Sequence, residues 1–198
     1  MVLENSKISI KEAQKILALN YDIKGSIEKL DGEIDFNFKV QSLKGKHYLL
    51  KISRPDFESD YTDFQIKLLD HLNKNCEIEL ARNILTTNGR KSCVTKDSLG
   101  RNRSVRLLSW IDGRLWSQVN PHNQSLRNEL GSKTAKLSNS LIGFNHSFSK
   151  REIEWDISNS LWVENHIDEF NSNDKIILFK HIQDFKKNLP IYNEFEKS

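Results

Sequence analysis

Tyr48-Leu49-Leu50-Lys51-Ile52 decides the reading of this chain, together with the stretch before it, Gly32-Glu33-Ile34-Asp35-Phe36-Asn37-Phe38-Lys39-Val40. From Ile34 to Val40 apolar and polar residues alternate, the period of a half-buried strand. In the later stretch a lysine stands between Leu50 and Ile52, which departs from a simple exposed face. Asp31-Gly32 and Lys44-Gly45 are turn signals, since glycine readily takes the positive φ that a hairpin needs. The spacing therefore predicts a three-stranded antiparallel meander over residues 23–30, 34–40 and 47–52.

Working outward, Ser9 and Glu12 have the spacing of a capping box, and Ile10, Ala13, Ile16 and Leu17 recur on one face of a helix over 10–19. Pro55 breaks the third strand, and Phe64, Leu68, Leu69 and Leu72 mark a helix over 58–73 that packs back on the sheet. Strands are expected over 83–87 and 92–96, joined by Asn88-Gly89, and over 103–111 after Leu99-Gly100. Sheet plus helix makes a complete layered unit. Beyond Asp112-Gly113 strand signals stop, and helices are expected over 125–141, 157–170 and 174–189, the last ending near Pro190. The division near Gly113 reads as a hinge between two lobes, 1–111 and 112–198, because no Gly/Ser/Pro-rich linker lies there.

Composition narrows the function. The 198 residues are 37% apolar and 29% charged, a globular balance. A net charge of +3 from 30 basic and 27 acidic residues is too even to predict a nucleic-acid partner. The pairs Lys44 with Lys46 and Arg101 with Arg103 fall in expected turns and read as solvated charge. Cys76 and Cys93 lack any Cys-x-x-Cys partner and fit a reducing cytosol. No run of about eighteen apolar residues is present, and Met1 to Ser9 holds no apolar leader. A cytoplasmic protein without a membrane partner is the expectation. His47, His71, His122, His146 and His181 show no ligand spacing, and the phosphate loop G-x-x-x-x-G-K-[ST] is absent.

The order of meander, helix and further strands leading into a helical half is that of a kinase-type amino-terminal lobe. There the third strand presents a lysine to nucleotide phosphates, a job suited to a point charge on a flexible stem. Lys51 is in that place. The two opening stretches resemble the nucleotide-binding strands of the aminoglycoside phosphotransferase and choline kinase-like superfamily, closest to the hydroxylysine kinase branch. Phe64-Gln65, Leu68-Leu69-Asp70-His71-Leu72, the run from Val105-Arg106 through Trp110-Ile111-Asp112-Gly113, and Trp155-Asp156 follow in order.

The resemblance implies an α+β, protein-kinase-like fold: an antiparallel N-lobe with one packed helix, then a truncated helical C-lobe. It implies an ATP- or GTP-dependent kinase acting on a hydroxyl of a small amino compound, with Mg²⁺ whose ligands this chain lacks. Asp35, Phe36 and Asn37 would form the turn over the phosphates, and Lys51 would contact them. Leu108, Ser109, Trp110 and Ile111 would connect the lobes, their backbone pairing with adenine. In the wider superfamily a helix acid orients the lysine. Here the matching place holds Gln65, a neutral amide, with Asp63 the alternative acid. Blander readings stand beside these: Lys51 as an edge lysine, Asp35 and Asn37 as the wet face of a strand, and Trp110 as core.

A search for the catalytic loop H-x-D-x-x-x-x-N returns His166, Asp168 and Asn173, with Asp184-Phe185 imitating the later metal motif. Both fall on helical periodicity, beside Val163, Ile167 and Phe170 and beside Leu178, Ile182 and Leu189, whereas a catalytic loop leaves regular structure and precedes a strand. The expectation is therefore an amino-terminal portion without catalytic residues, inactive alone. Its partners would be nucleotide and either a separately encoded C-terminal half or a second copy docked through exposed helices. The alternative is a non-catalytic, pseudokinase-type module binding nucleotide or a partner.

Overall fold

The computed structural model describes residues 7–55, 57–150 and 156–195. The chain falls into two compact units, Met1–Ser149 and Lys150–Ser198.

The first unit is built on an antiparallel sheet. β1 (Gly25–Leu30), β2 (Phe36–Ser42) and β3 (His47–Ile52) form the meander, and β6 (Asn102–Ser109) lies beside β3. β4 (Asn83–Ile84) and β5 (Cys93–Lys96) share the far edge of β6. Gly45, with φ of 77°, closes the β2–β3 turn. The period of two sorts the side chains between faces. Phe38, Val40, Leu50, Ile52, Val105 and Leu107 are fully buried on one face. α1 (Ile10–Tyr21) covers it with Ala13, Ile16, Leu17 and Tyr21. Each such burial is worth about 1.5–3 kcal/mol. Its capping box is present: the Ser9 hydroxyl accepts from the Glu12 N–H at 3.2 Å, and the Glu12 carboxylate accepts from the Ser9 N–H at 2.9 Å.

α2 (Ser59–Asn75) takes the opposite face, where the Thr62 hydroxyl reaches the Ser104 hydroxyl at 3.1 Å. α3 (Gln124–Ser140) follows, with the Ser140 carbonyl 2.8 Å from His71 Nε2. In the second unit a run of 3-10 turns over Ile157–Glu169 precedes α4 (Ser172–Phe195). Lys186 of α4 pairs with Glu164 at 2.7 Å. Among the described residues no helix is long and apolar enough to cross a membrane.

Four expectations need correction. The strand expected over 83–87 is only Asn83–Ile84, because the Thr87 N–H donates to the Asn20 carbonyl at the end of α1 instead of to the sheet. The segment expected as a helix over 157–170 winds as 3-10 turns, in keeping with its Ser158, Asn159, Ser160, Asn165 and β-branched residues, all modest helix formers. α4 runs through Pro190 rather than ending there; Lys186, one turn earlier, is exposed, so its freed carbonyl can take water. Arg103 is not solvated: it is 0% exposed. Its guanidinium donates to Asp97 Oδ2 at 2.6 and 2.9 Å and to the Ser53 carbonyl at 3.0 Å, and it lies over the Phe36 ring. Trp155 of the Trp155-Asp156 motif lies outside the described residues.

Asp97 is a buried carboxylate that ties the stability of this unit to pH. Burial opposes its ionisation, but the Arg101 N–H, the Arg103 guanidinium, the Leu99 N–H and the Arg101 side chain outweigh it and hold the carboxyl well below the usual range. A depressed folded-state pKa stabilises the fold above the unfolded value and loses that contribution as pH falls. Asp97→Asn, which leaves buried Arg103 without its counter-ion, should destabilise by about 3 kcal/mol at neutral pH. The gap to wild type should narrow below roughly pH 4 in urea titrations.

Candidate functional site

Asn37, Lys51 and Arg106 are successive partners across β2, β3 and β6, so their side chains line up on the α2 face of the sheet. The Lys51 ammonium donates to Asn37 Oδ1 at 2.8 Å and pairs with Asp35 Oδ2 at 3.2 Å. The two side chains of that ion pair are 22% and 12% exposed. Arg106 is 6% exposed, and its guanidinium donates to Gln65 Oε1 from α2. Burial pulls the Arg106 pKa down and the nearby Asp35 carboxylate pushes it back up.

Local geometry builds this cluster. The β1–β2 turn brings Asp35 over β3. Gly32 allows it, since a Cβ there would lie 2.2 Å from Asn37 Nδ2 and 2.7 Å from the Asp35 carbonyl. The Arg54 guanidinium donates to the Glu33 carbonyl and ties the turn to the end of β3. On the same face, two residues along β2, Lys39 Nζ sits 4.8 Å above the Trp110 ring.

The structure thus gathers Asp35, Asn37 and Lys51 in one cluster, places Gln65 on the neighbouring Arg106, and sets Phe36 apart. Phe36 opposes Ile52 and packs against the α1 core, because alternation turns it away from Asn37. Leu108 and Ser109 belong to the ladder: Leu108 is 8% exposed and pairs with Leu49 and Asn83, while the Ser109 N–H donates to the Arg82 carbonyl. β6 therefore stops two residues short of its expected end. Trp110 donates its N–H to the His47 carbonyl at 3.4 Å, and Ile111 is exposed. Asp63 does not serve as the alternative acid. Its carboxylate is taken by Lys67 at 2.7 Å and by His146 Nε2 at 3.0 Å, and these contacts hold its pKa below the usual range. The Phe148 N–H donates to His146 Nδ1, so the Nε2–H points at Asp63.

Arg106 is the member that sequence reasoning missed. Its signal was a guanidinium inside Ser104-Val105-Arg106-Leu107-Leu108, a segment otherwise fit for the interior. His166, Asp168 and Asn173 lie in the 3-10 run and the first turn of α4, with His166 Nδ1 2.7 Å from Glu169 and Asp168 paired to Lys175 at 3.0 Å. Asp184 is inside α4. Among the described residues no group of three or more His, Cys, Asp or Glu could hold a metal ion.

Gly32→Ala tests the turn. The added methyl must push Asn37 or the turn backbone aside, costing about 1–3 kcal/mol in urea unfolding and breaking the Asn37–Lys51 bond.

No family model matches this chain, and no curated protein matches it. Among solved structures it is similar to an amicoumacin kinase, hAmiN, in complex with AMP-PNP, Ca²⁺ and Ami, at a TM-score of 0.68 and 18% identity over 92% of this chain and 54% of that one. It is also similar to a microcompartment-associated aminopropanol kinase, at a TM-score of 0.58 and 16% identity over 75% of this chain and 45% of that one. The chain spans about half the length of the structures it matches. Its fold is the kinase-like α+β fold that these small-molecule kinases share.

Proposed function

We propose that the Asp35–Asn37–Lys51 cluster grips the phosphates of a purine nucleoside triphosphate, and that the chain is the nucleotide-binding portion of a small-molecule phosphotransferase. The carrying observation is the state of Lys51. An ammonium has three donors; among the described residues Asn37 and Asp35 take two, and with 22% of the side chain exposed the third can reach a ligand oxygen. Trp110 with Lys39 above it offers a surface for the base in the connector. The lobes of this reading are 1–111 and 112–198.

The acceptor is a hydroxyl on an amino compound, a class supported by the kinase-like neighbours and by the resemblance to hydroxylysine kinases. ATP or GTP, accompanied by Mg²⁺, is the donor. Transfer further needs a base for the acceptor hydroxyl, and that role is not given to His166 and Asp168, which lie in the 3-10 run as exposed groups beside Glu169 and Lys175. The contribution of this chain is positioning and charge neutralisation, and by itself it should not phosphorylate amino alcohols.

Calorimetry decides the matter: ATP and GTP with Mg²⁺ should bind wild type, and Lys51→Ala should weaken the preferred nucleotide roughly ten- to a hundredfold, the worth of a charge-assisted contact. Equal binding by Lys51→Ala would sink the reading.

One observation favours a second role, docking of a partner through the helical portion. Ile176, Ile177 and Phe179 are 71%, 56% and 55% exposed on the side of α4 away from Leu178, Ile182, Phe185 and Leu189. Such a face invites association with a separately encoded C-terminal segment or a second copy. Sedimentation should show self-association or hydrophobic-dye binding that Ile177→Lys reduces; a dye-silent monomer argues against it.

A further inference from the structure

In the kinase-like fold the strand lysine is oriented by an acid on the packed helix. This chain solves the same problem differently. We propose that Asp35, on the β1–β2 turn, is the positioning residue for Lys51, and that α2 is uncoupled from the lysine because Gln65 is committed to Arg106. The proposal rests on Lys51 being the phosphate-contacting group.

Charge arrangement carries the argument. Lys51 and Arg106 are direct partners across β3 and β6, two cations side by side on one face. Like charges in that relation repel. Among the described residues Asp35 is the carboxylate that pairs with Lys51, at 3.2 Å, and it acts on Arg106 too. Its side chain is 12% exposed, so the attraction is only partly screened by water.

The acids of α2 are engaged elsewhere. Asp63 is held by Lys67 and His146, Asp70 by Lys91 and Asn83, and Asp60 lies beside the Ser59 hydroxyl. Of the helix side chains that reach this face, Thr62 bonds to Ser104 and Gln65 accepts from Arg106. The lysine is therefore aimed from within the β1–β3 hairpins: Asn37 takes one N–H, Asp35 a second, and among the described residues nothing takes the third, which a phosphate oxygen can reach. Asp35 keeps its N–H when nucleotide arrives, so a shift of α2 leaves the lysine in place.

The test pairs MgATP calorimetry with ¹⁵N detection of the Lys51 ammonium, whose protons should exchange slowly while Asn37 and Asp35 hold them. Asp35→Asn should lose the protected signal and weaken MgATP about tenfold or more. Asp35→Glu, with the charge kept and moved by one methylene, should shift the signal and bind within about threefold of wild type. Asp63→Asn should change neither. Equal or tighter binding by Asp35→Asn would mean that the carboxylate competes with phosphate, and would overturn the proposal. So would a loss in Asp63→Asn as large as in Asp35→Asn. If Asp35→Asn does not fold, an unmoved Lys51 signal in Asp35→Glu overturns it as well. If the signal responds as expected but wild type binds no nucleotide, Asp35 still positions Lys51 and only the nucleotide reading falls.

Discussion

An ammonium set into the middle of a sheet is the constraint on which the site depends. Lys51 has fully buried Leu50 and Ile52 as neighbours on its strand and Arg106 as a cross-strand partner. A cation so placed is expensive unless it is paired and hydrogen-bonded. The nearest way to pair it is a carboxylate from the preceding turn, which requires Asp35 to fold back over β3. That requires a residue without a side chain at position 32, because any Cβ would meet Asn37 and the Asp35 backbone. A glycine, an aspartate and an asparagine spread over six positions thus follow from one half-buried charge.

The sheet can bear this because its two faces do different work. The α1 face is apolar and closely packed around Phe38, Leu50 and Leu107, and it supplies the hydrophobic stabilisation. The α2 face can then hold polar groups, provided each finds a partner. Ser104 has the Thr62 hydroxyl, Arg106 has Gln65, and Lys51 has Asp35 and Asn37. β6 is buried along most of its length on both faces, so the network across it must be satisfied as a whole; a half-satisfied one costs more than an apolar surface. The loop after α3 extends the same logic to the outer side of α2. There Phe144 and Phe148 pack on Phe64 and Tyr61, and His146 takes Asp63.

What could be read from the sequence was what local pattern determines. The alternation from Ile34 to Val40, the turn glycines, and the spacing of Ala13, Ile16 and Leu17 or of Phe64, Leu68 and Leu72 are short-range signals, and the elements they announced are present within a few residues. Pairings across long separations were not legible. Nothing near Gln65 announces that it meets a residue 41 positions later, and nothing near Arg103 says that it will be enclosed by Asp97, Ser53 and Phe36. Read locally, an arginine beside a turn is solvated charge; only the closed sheet makes it the largest fully buried side chain among the described residues. The same blindness left Asp63 and Gln65 both open as keepers of the lysine, since they sit two positions apart on one helix and only three-dimensional packing says which way each points.

His166, Asp168 and Asn173 show the converse, a spacing that is legible and means something else. Three residue types at a set interval recur by chance, and their chemistry depends on the backbone that carries them. A catalytic loop holds its aspartate clear of regular hydrogen bonding, so that the carboxylate faces an acceptor hydroxyl rather than a neighbouring cation. In this chain the interval spans a 3-10 run and the first turn of α4. Asp168 is spent on Lys175 and His166 on Glu169, both within a turn or two, as expected of the polar side of a short helical pair. The backbone therefore makes this stretch helix surface, and the chemistry proposed for the chain stays with the β1–β3 hairpins around Lys51.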